Sequence, residues 1–588
     1  MAKVENRVDV VTVGAGWTAT ILAMILTKAG MKVVSLEAGP SRFANPEFAH
    51  DHDPLRYAVR KEMMWDISRE GWTWRPNPAA TALPMRKFGS FHPGRGIGGA
   101  AVHWSGMWWR FYDTDFRYRS HHLERYGESK LPDGNRIQDW PLTYTDLEPY
   151  YTRADIDIGA SGKAGNLNGE IVPGGNPFED PRSQEYPLPP LAVTLPSDMF
   201  EKACRDLGYH PFPQPAGITS QAYQDPLGNY RSGCLYCGYC TRYGCEVDAK
   251  SSPVTTHLPA AMKTGRYEIR TYVKVKQVNT DRDGLASGVT YVDANGEEHE
   301  QPADIVVLSA YTLSNVKLLL VSKSEQHPDG LGNDRGMVGK NYTYQLWETP
   351  VKGIFEGHRF NLFAGNTSTI NCIHDFNADN FDHGDLDFVG GASIFSATGE
   401  VDPVTSPTDL PLDNDMAWGK SWKAELRKNW DAVVPITIQG ESLPYEDQFL
   451  DLDPNYRDNF GSPLLRITFD WHQNDKRLYA FMADKCKQIM ERMGADQVHA
   501  TSDLEDYEIH KYQSTHCTGG AIMGSGPGNS VTNSYGQVWD APNVFVTGAA
   551  LYPQNAGANP TGTLVALAYR TGDAIRDRYR KHTRALMD

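Results

Sequence analysis

Residues 8–39 read VDVVTVGAGWTATILAMILTKAGMKVVSLEAG, which predicts a strand, a glycine turn, a helix and a second strand. Val8 to Val13 are mostly β-branched, as suits a strand that is buried on both faces. The helix is predicted to run to about Ala29 and to stop at Gly30, and the second strand to span Lys32 to Leu36. This order of elements predicts an α/β fold with a parallel sheet.

The turn before the helix matches the dinucleotide fingerprint G-x-G-x-x-G/A, with Gly14, Gly16 and Ala19 at its small positions. Gly14 permits the tight turn, Gly16 lets the backbone approach a pyrophosphate, and Ala19 allows close packing of the helix on the sheet. The helix start offers free N–H groups to the phosphates. Glu37 is placed to bind a ribose hydroxyl pair, and its charge disfavours a 2′-phosphate. The predicted ligand is therefore NAD or FAD.

The composition sets broad limits on size and partners. At about 150 residues per domain, 588 residues correspond to roughly four domain-equivalents, or to two large domains of which one is interrupted. The 57 Lys and Arg residues against 73 Asp and Glu residues give a net charge of −16, which argues against nucleic acid as a partner. With 40% hydrophobic and 22% charged residues, the composition excludes a disordered chain.

One uncharged stretch, Val10 to Thr27, could be taken for a signal peptide or a membrane span. Gly14 and Gly16 divide it, so we expect no Sec signal, no twin-arginine signal and no transmembrane segment. The remaining predictions are strands at Tyr267–Thr280, Ala286–Val292 and Ile305–Leu308, and a surface loop in the Pro- and Asp-rich stretch 400–417.

A second glycine-rich stretch, residues 94–100, reads GRGIGGA and is too rich in glycine for an ordinary helix or strand. It predicts a loop in which the backbone passes close to a large flat ligand. We therefore assign Arg95, Gly98 and Gly99 to the cofactor site.

The chain resembles the glucose–methanol–choline (GMC) oxidoreductase family, whose members bind FAD. The motifs that carry the resemblance are Leu36-Glu37-Ala38-Gly39, Gly98-Gly99, Val338-Gly339-Lys340-Asn341, Asn543 to Gly548, and Asn559-Pro560-Thr561. The resemblance implies FAD as the cofactor and adds its predicted contacts at Val273, Gly548, Pro560 and Thr561.

The predicted architecture is a Rossmann-like FAD-binding domain, interrupted in sequence, and an α+β substrate-binding domain with an antiparallel sheet. The FAD-binding domain is predicted to comprise residues 1–340 and 540–588, including a cysteine-rich loop at 225–253. The substrate-binding domain is predicted at 341–539, with the catalytic histidine near its end.

Oxidation of an alcohol needs a base for the hydroxyl proton and an acceptor for the hydride. In the family, a C-terminal His is followed by a second His or Asn, both beside the flavin. Here His516 and Asn559 occupy those places, so the resemblance implies His516 as the base and Asn559 as the group that orients the substrate hydroxyl. An imidazole that titrates near neutrality and an amide with donors and an acceptor suit these roles.

His103 raises a separate question about the flavin. In pyranose-oxidase-like members of the family, a His-Trp pair at this place is bonded covalently to the flavin, which makes His103, followed by Trp104, a candidate for covalent attachment. The alternative is a buried histidine packed among Trp104, Trp108 and Trp109. The spacing leaves both interpretations open.

Four of the eight cysteines form one cluster with the spacing C-x2-C-x2-C-x4-C: Cys234, Cys237, Cys240 and Cys245. Disulfides between neighbours would close strained short loops, and a structural zinc site usually separates its two cysteine pairs by a long loop. The spacing resembles bacterial ferredoxin ligation, although the last gap is four residues and Glu246 follows instead of proline. It favours an iron–sulfur cluster over zinc, with three-iron (3Fe-4S) and four-iron (4Fe-4S) types both open.

A flavin beside an iron–sulfur centre can pass its electrons singly to a partner. Within the family, the chain is similar to flavoprotein subunits of gluconate 2-dehydrogenase, fructose dehydrogenase and glucoside 3-dehydrogenase in residues 103–106, 237–240 and 377–384. This likeness implies a small subunit that carries the export signal, a cytochrome c subunit, and a periplasmic location at the inner membrane. A cytoplasmic location is the alternative.

These observations predict an FAD-dependent dehydrogenase that oxidises a hydroxyl of a sugar, glycoside or sugar acid. Its electrons would pass through the cluster to a cytochrome c-type acceptor. Two alternatives stay open: an oxygen-using pyranose-type sugar oxidase with structural zinc, and a non-catalytic electron-transfer subunit.

Overall fold

A computed structural model describes residues 2–42, 48, 55, 57, 61–68, 70–87, 89–365, 368–396, 410–412, 418–512, 514–582 and 586–587. The surface loop predicted at 400–417 lies outside the described residues, apart from 410–412.

The largest sheet in the described part of the chain has eight strands and is mixed. Its parallel part contains, in order, Tyr267–Arg270, Val33–Leu36, Val8–Val13, Glu298–Leu308 and Val544–Val546. Ala286–Val292 and Lys274–Thr280 extend it in antiparallel fashion, and Lys3–Val4 pairs in parallel with Glu298–Leu308. Val8–Val13 is buried towards its C-terminal end, as the β-branched run predicts.

The predicted boundaries hold well in this sheet. The first helix is Trp17–Lys28, and the predicted strand at Ala286–Val292 has those bounds. The strand predicted at Tyr267–Thr280 is divided into two strands by residues 271–273, and the one predicted at Ile305–Leu308 is the end of an eleven-residue strand. The α-helices of the described chain are Trp17–Lys28, Asp113–Phe116, Tyr118–Tyr126, Tyr144–Ile158, Leu195–Asp206, His257–Met262, Thr312–Val321, Gly419–Asn429, Gln473–Met493 and Thr561–Ala574.

A second sheet is antiparallel and contains Gln497–Ala500, Leu346–Ile354, Val433–Gly440, Ala392–Phe395, Asn371–Ile373 and Phe212–Pro213 in that order. The helix Gln473–Met493 packs against it and buries one apolar face, including Leu478, Met482 and Ile489. The mixed parallel sheet and this antiparallel sheet confirm the predicted α/β class with an antiparallel second part.

Smaller sheets connect the two parts. Phe449–Arg457, Pro463–Thr468, Trp72–Arg75 and Leu83–Pro84 form one of them, and Thr343–Tyr344 pairs with Cys517–Thr518. The other strand pairs are Tyr223–Gln224 with Tyr230–Arg231 and Asn166–Leu167 with Glu170–Ile171. Two strands from before residue 341, Phe212–Pro213 and Trp72–Arg75, thus pair with strands from the predicted substrate-binding domain, whose boundaries stay a prediction.

Among the described helices, none combines the length and the apolar character that crossing a bilayer requires.

Candidate active site

A cavity of about 440 Å³ lies where the dinucleotide turn, the second glycine loop and the C-terminal motifs meet. The sequence-predicted residues in its wall are Gly14, Gly16, Glu37, Gly98, Gly99, His103, Val273, His516, Gly548, Asn559, Pro560 and Thr561. Two others lie outside the wall. Ala19 is buried within the first helix, and the carbonyl of Arg95 accepts a hydrogen bond from Arg42 Nε at 3.0 Å.

The backbone at the dinucleotide turn requires glycine. Gly14 has φ = 96°, and a Cβ atom there would lie 2.8 Å from the carbonyl oxygen of Ser309. A Cβ atom on Gly16 would meet nothing within 4 Å, so open space lies before the first turn of the helix. Exposed N–H groups beside open space suit a phosphate group.

Glu37 links the two glycine loops. Its carboxylate accepts backbone N–H groups from Ala15 at 3.1 Å, Gly39 at 2.8 Å and Gly96 at 3.1 Å. Burial raises the pKa of this carboxyl, and the three N–H groups act in the opposite direction. Because Glu37 also lies in the cavity wall, it holds the shape of the site and can still accept a bond from a ligand hydroxyl.

The predicted catalytic pair is formed in the folded chain. Nδ1 of His516 lies 2.5 Å from Oε1 of Gln345, and Nε2 lies 3.1 Å from Nδ2 of Asn559. Pairing of Thr343–Tyr344 with Cys517–Thr518 brings the two segments side by side. Burial lowers the pKa of His516 to about 4, so its ring is neutral at neutral pH and can accept a proton.

His103 follows a short helical turn, Gly99–Val102, and lines the cavity. Its Nε2 atom is buried and has no hydrogen-bond partner among the described residues. Burial, with a smaller effect of Lys250, lowers the pKa of this imidazole to about 3, so the ring is neutral. A neutral ring nitrogen without a partner fits attachment to a cofactor, whereas covalent attachment itself stays a prediction.

The segment that contains the four cysteines and continues to Lys250 contacts the loop that carries His103 and Trp104. The Arg242 N–H donates to the carbonyl of His103 at 2.7 Å. The ammonium of Lys250 donates to the carbonyls of Trp104 at 2.9 Å, Tyr243 at 2.7 Å and Cys240 at 2.5 Å. The segment that carries the four cysteines is therefore bonded directly to the backbone that carries His103.

None of the four cysteines forms a disulfide in the described chain. Backbone N–H groups point at their sulfurs, among them from Tyr236 to Cys234 at 3.3 Å and from Lys250 to Cys245 at 3.4 Å. Non-glycine residues with positive φ, Tyr236 at 56° and Arg242 at 73°, bend the chain around them. Several sulfurs and N–H donors on one tightly bent loop are the chemistry that an iron–sulfur cluster uses.

No three of these four sulfurs lie within 4.8 Å of one another in the structure. Four thiolates at about 2.3 Å from zinc lie within roughly 4 Å of one another. Among the described residues, only Asp293, Glu297 and His299 bring three potential ligand atoms within 4.8 Å of one another. Iron and sulfide stand between the cysteines of a cluster, so a cluster accepts a wider spacing.

Two residues of the catalytic network were not predicted from the sequence. Gln345 contacts His516, and Nε1 of Trp109 donates to Oδ1 of Asn559 at 2.9 Å. Neither belongs to a recognisable motif. No local pattern marks either bond, since the residues joined are 171 and 450 positions apart.

Comparison with known proteins agrees with this geometry. Models of the GMC oxidoreductase family match residues 195–347 and 444–568. The chain is 40% identical to the gluconate 2-dehydrogenase flavoprotein of Pantoea cypripedii, over 98% of this chain and 95% of that protein. It is 25% identical to the fructose dehydrogenase large subunit of Gluconobacter japonicus, over 96% of this chain and 97% of that one.

Among solved structures, pyridoxine 4-oxidase from Mesorbium loti shares the fold. The TM-score is 0.58 at 14% identity, and the match covers 98% of this chain and 99% of that one.

Proposed function

Because the chain belongs to the GMC oxidoreductase family, we propose that it is an FAD-dependent dehydrogenase that oxidises a hydroxyl of a sugar, glycoside or sugar acid to a carbonyl. The observation that carries the proposal is the contact of His516 with Asn559 in the wall of a cavity that also contains the dinucleotide turn. The 40% identity to a gluconate 2-dehydrogenase flavoprotein favours a sugar acid as the substrate.

The residues of the cavity fit FAD. Gly14, Gly16 and the start of the first helix would hold the pyrophosphate, and Glu37 the ribose. The loop at Gly98 and Gly99 would bring its backbone close to the flat ring system of the flavin. The Gly98 N–H donates to the carbonyl of Ala15 at 2.8 Å, which joins this loop to the dinucleotide turn. When bound, FAD supplies the acceptor for a hydride from the substrate carbon.

The protein supplies the proton transfer and the orientation of the substrate. Nδ2 of Asn559 lies 3.1 Å from Nε2 of His516. A substrate hydroxyl that replaces this contact would give its proton to the Nε2 lone pair and accept a hydrogen bond from Nδ2. We further propose that His103 carries the flavin covalently, supported by its buried nitrogen without a partner.

We propose that the cysteines at 234, 237, 240 and 245 hold an iron–sulfur cluster that takes electrons from the flavin one at a time. Support comes from the segment that carries them, because Arg242 N–H and the ammonium of Lys250 donate to the carbonyls of His103 and Trp104. A cytochrome c subunit would receive the electrons, and a small subunit with an export signal would bring the complex to the periplasm. The name of the fructose dehydrogenase large subunit supports a multi-subunit arrangement.

A stopped-flow experiment tests the proposal. The purified protein is mixed anaerobically with a panel of sugars and sugar acids, including gluconate, and the flavin absorbance is followed. The proposal predicts rapid bleaching by at least one member and slow reoxidation by oxygen. No bleaching by any member, or rapid reoxidation by oxygen, would overturn it.

Two further measurements test the cofactors. Metal analysis and electron paramagnetic resonance of the oxidised and reduced protein should show iron and a cluster signal. Zinc without iron would contradict the cluster. Denaturation in acid should leave the flavin on the polypeptide, and release of all flavin would contradict the bond to His103.

A further inference from the structure

The amide of Gln345 has one possible orientation. Its Nε2 atom donates to the backbone carbonyls of Ala556 and of Ala558, the latter at 2.9 Å. Carbonyl oxygens only accept, so this end of the amide must be the NH₂ group. Its Oε1 atom accepts from Nε2 of Gln439 at 2.8 Å and lies 2.5 Å from Nδ1 of His516.

This orientation determines where the histidine carries its hydrogen. An amide oxygen has no hydrogen to donate, so the bond at Nδ1 requires an N–H there. Because the ring is neutral, with its pKa lowered to about 4 by burial, Nε2 then keeps its lone pair.

The other side of the ring is determined independently. The indole nitrogen of Trp109 is a donor only, so the atom of Asn559 that it contacts at 2.9 Å must be the amide oxygen. The NH₂ group of Asn559 is therefore the end that meets Nε2 of His516 at 3.1 Å. A donor at this position favours a bare Nε2.

We propose that Gln345 and Trp109 are positioning residues that hold His516 in the tautomer with hydrogen on Nδ1 and the lone pair on Nε2, the nitrogen that faces Asn559 in the cavity wall. The catalytic consequence rests on the proposed function. In that reaction the hydroxyl O–H bond breaks and its proton joins Nε2, while the C–H bond breaks and hydrogen leaves with the electron pair to the flavin. The neutral alcohol thus gives a carbonyl, a protonated imidazole and a reduced flavin.

A neutral amide suits this position better than a carboxylate. The oxygen of Gln345 accepts the Nδ1 hydrogen without adding a negative charge, so it does not make the ring basic enough to stay protonated. All the groups that fix the orientation are buried: Gln345 is 0% exposed, Gln439 1%, Asn559 4% and Trp109 5%. Solvent therefore offers no competing partner.

The test compares Trp109→Phe, Gln345→Met and the double variant with the wild-type holoenzyme. Trp109→Phe keeps an aromatic ring in place and removes the N–H donor. Trp108→Phe is the matched control, because Trp108 is the adjacent buried tryptophan and its N–H bond, to Asp155 at 2.6 Å, lies outside the cavity wall. The tautomer is read from ¹⁵N spectra of the histidine-labelled protein, with the His516 signals assigned by their loss in His516→Gln.

The wild type and Trp108→Phe should show hydrogen on Nδ1 of His516. Each single variant at the site should slow flavin reduction by about fivefold to tenfold, as expected for one lost hydrogen bond. The double variant removes both constraints on the same ring, so it should populate the Nε2–H tautomer and slow reduction by more than the product of the two single effects.

Three outcomes would overturn the proposal: an Nε2–H tautomer in the wild type, an unchanged tautomer in the double variant, and a tautomer change in Trp108→Phe. If Gln345→Met fails to fold because two carbonyls lose their donor, the wild-type spectrum and the rate of Trp109→Phe still test the proposal, since an Nε2–H tautomer in the wild type or an unchanged rate in Trp109→Phe would overturn it. The spectra require no substrate, so failure of the proposed reaction would leave the tautomer result intact and distinguishable.

Discussion

His516 lies in the cofactor cavity wall, and the cysteine segment is bonded to another part of that wall, at His103 and Trp104; the two regions differ in the partners that the protein supplies. Both ring nitrogens of His516 have side-chain partners, Gln345 and Asn559. The sulfurs of Cys234 and Cys245 accept backbone N–H groups. In the proposed reaction, proton transfer uses protein groups, whereas the proposed electron transfer uses a cluster that the cysteines hold. Substitutions in the two regions should therefore affect different half-reactions.

The largest expected effect is at the base. His516→Gln should slow flavin reduction by about 10²- to 10⁴-fold, because it removes the ring nitrogen that takes the hydroxyl proton in the proposed reaction, and should leave FAD bound. Stopped-flow bleaching and the flavin-to-protein ratio measure the two results. His327→Gln is the control, since His327 is a buried histidine whose ring contacts Asp334 and the carbonyl of Gly284, outside the cavity wall. Flavin reduction at the wild-type rate in His516→Gln would show that His516 is not the base, and the two regions could no longer be assigned to different half-reactions.

The next-largest effect is expected at Lys250, which joins the cysteine segment to the loop that carries His103 and Trp104. Lys250→Met removes the ammonium that joins the carbonyls of Trp104, Tyr243 and Cys240. The lost charged hydrogen bonds should lower the free energy of unfolding by about 2–3 kcal/mol and increase hydrogen exchange at the cysteine segment. Denaturant unfolding and exchange mass spectrometry measure this. Exchange that rises equally at the segment around His516 would show that the two regions are not separate.

A smaller effect is expected at the dinucleotide turn. Gly14→Ala places a Cβ atom 2.8 Å from the carbonyl of Ser309 in backbone with φ = 96°. The strain should cost about 1–2 kcal/mol and weaken FAD retention. Gly30→Ala is the control, because Gly30 has φ = 89° but open space around it. If both variants lose flavin equally, the close approach to Ser309 is not what shapes the site.

The smallest effect is expected in the dependence of the flavin reduction rate on pH. With the pKa of His516 lowered to about 4, the base is unprotonated above that pH. Flavin reduction should therefore be constant from pH 8 to about 5 and should fall only as the pH drops through about 4. The single-turnover rate against pH measures this. A midpoint near 6.5, the ordinary value for histidine, would show that the enclosure of His516 does not control its protonation.

The sequence predicted those features that depend on neighbours along the chain. The strand Val8–Val13, the turn at Gly14 and the first helix follow from local periodicity and glycine positions. His516 and Asn559 were found because each lies in a motif. Trp109 was not, because its bond to Asn559 joins positions 450 residues apart and leaves no local pattern.

Another departure has the same cause. Trp72–Arg75 pairs with Pro463–Thr468, a connection between distant segments that residue-by-residue reading cannot anticipate. The residues proposed to carry the chemistry can therefore be predicted from local motifs, whereas the side chains that orient them are determined by the tertiary fold.

The assignment of the two half-reactions to the two regions is tested most directly in Cys240→Ser. The rate of anaerobic flavin reduction and the rate of reoxidation by a one-electron acceptor are measured in this variant and in the wild type. Cys486→Ser is the control, because Cys486 is a buried thiol of the helix Gln473–Met493. We expect Cys240→Ser to reduce its flavin at the wild-type rate, to reoxidise it much more slowly than the wild type does, and to lose its iron. Slow flavin reduction, or unimpaired reoxidation without iron, would contradict this assignment.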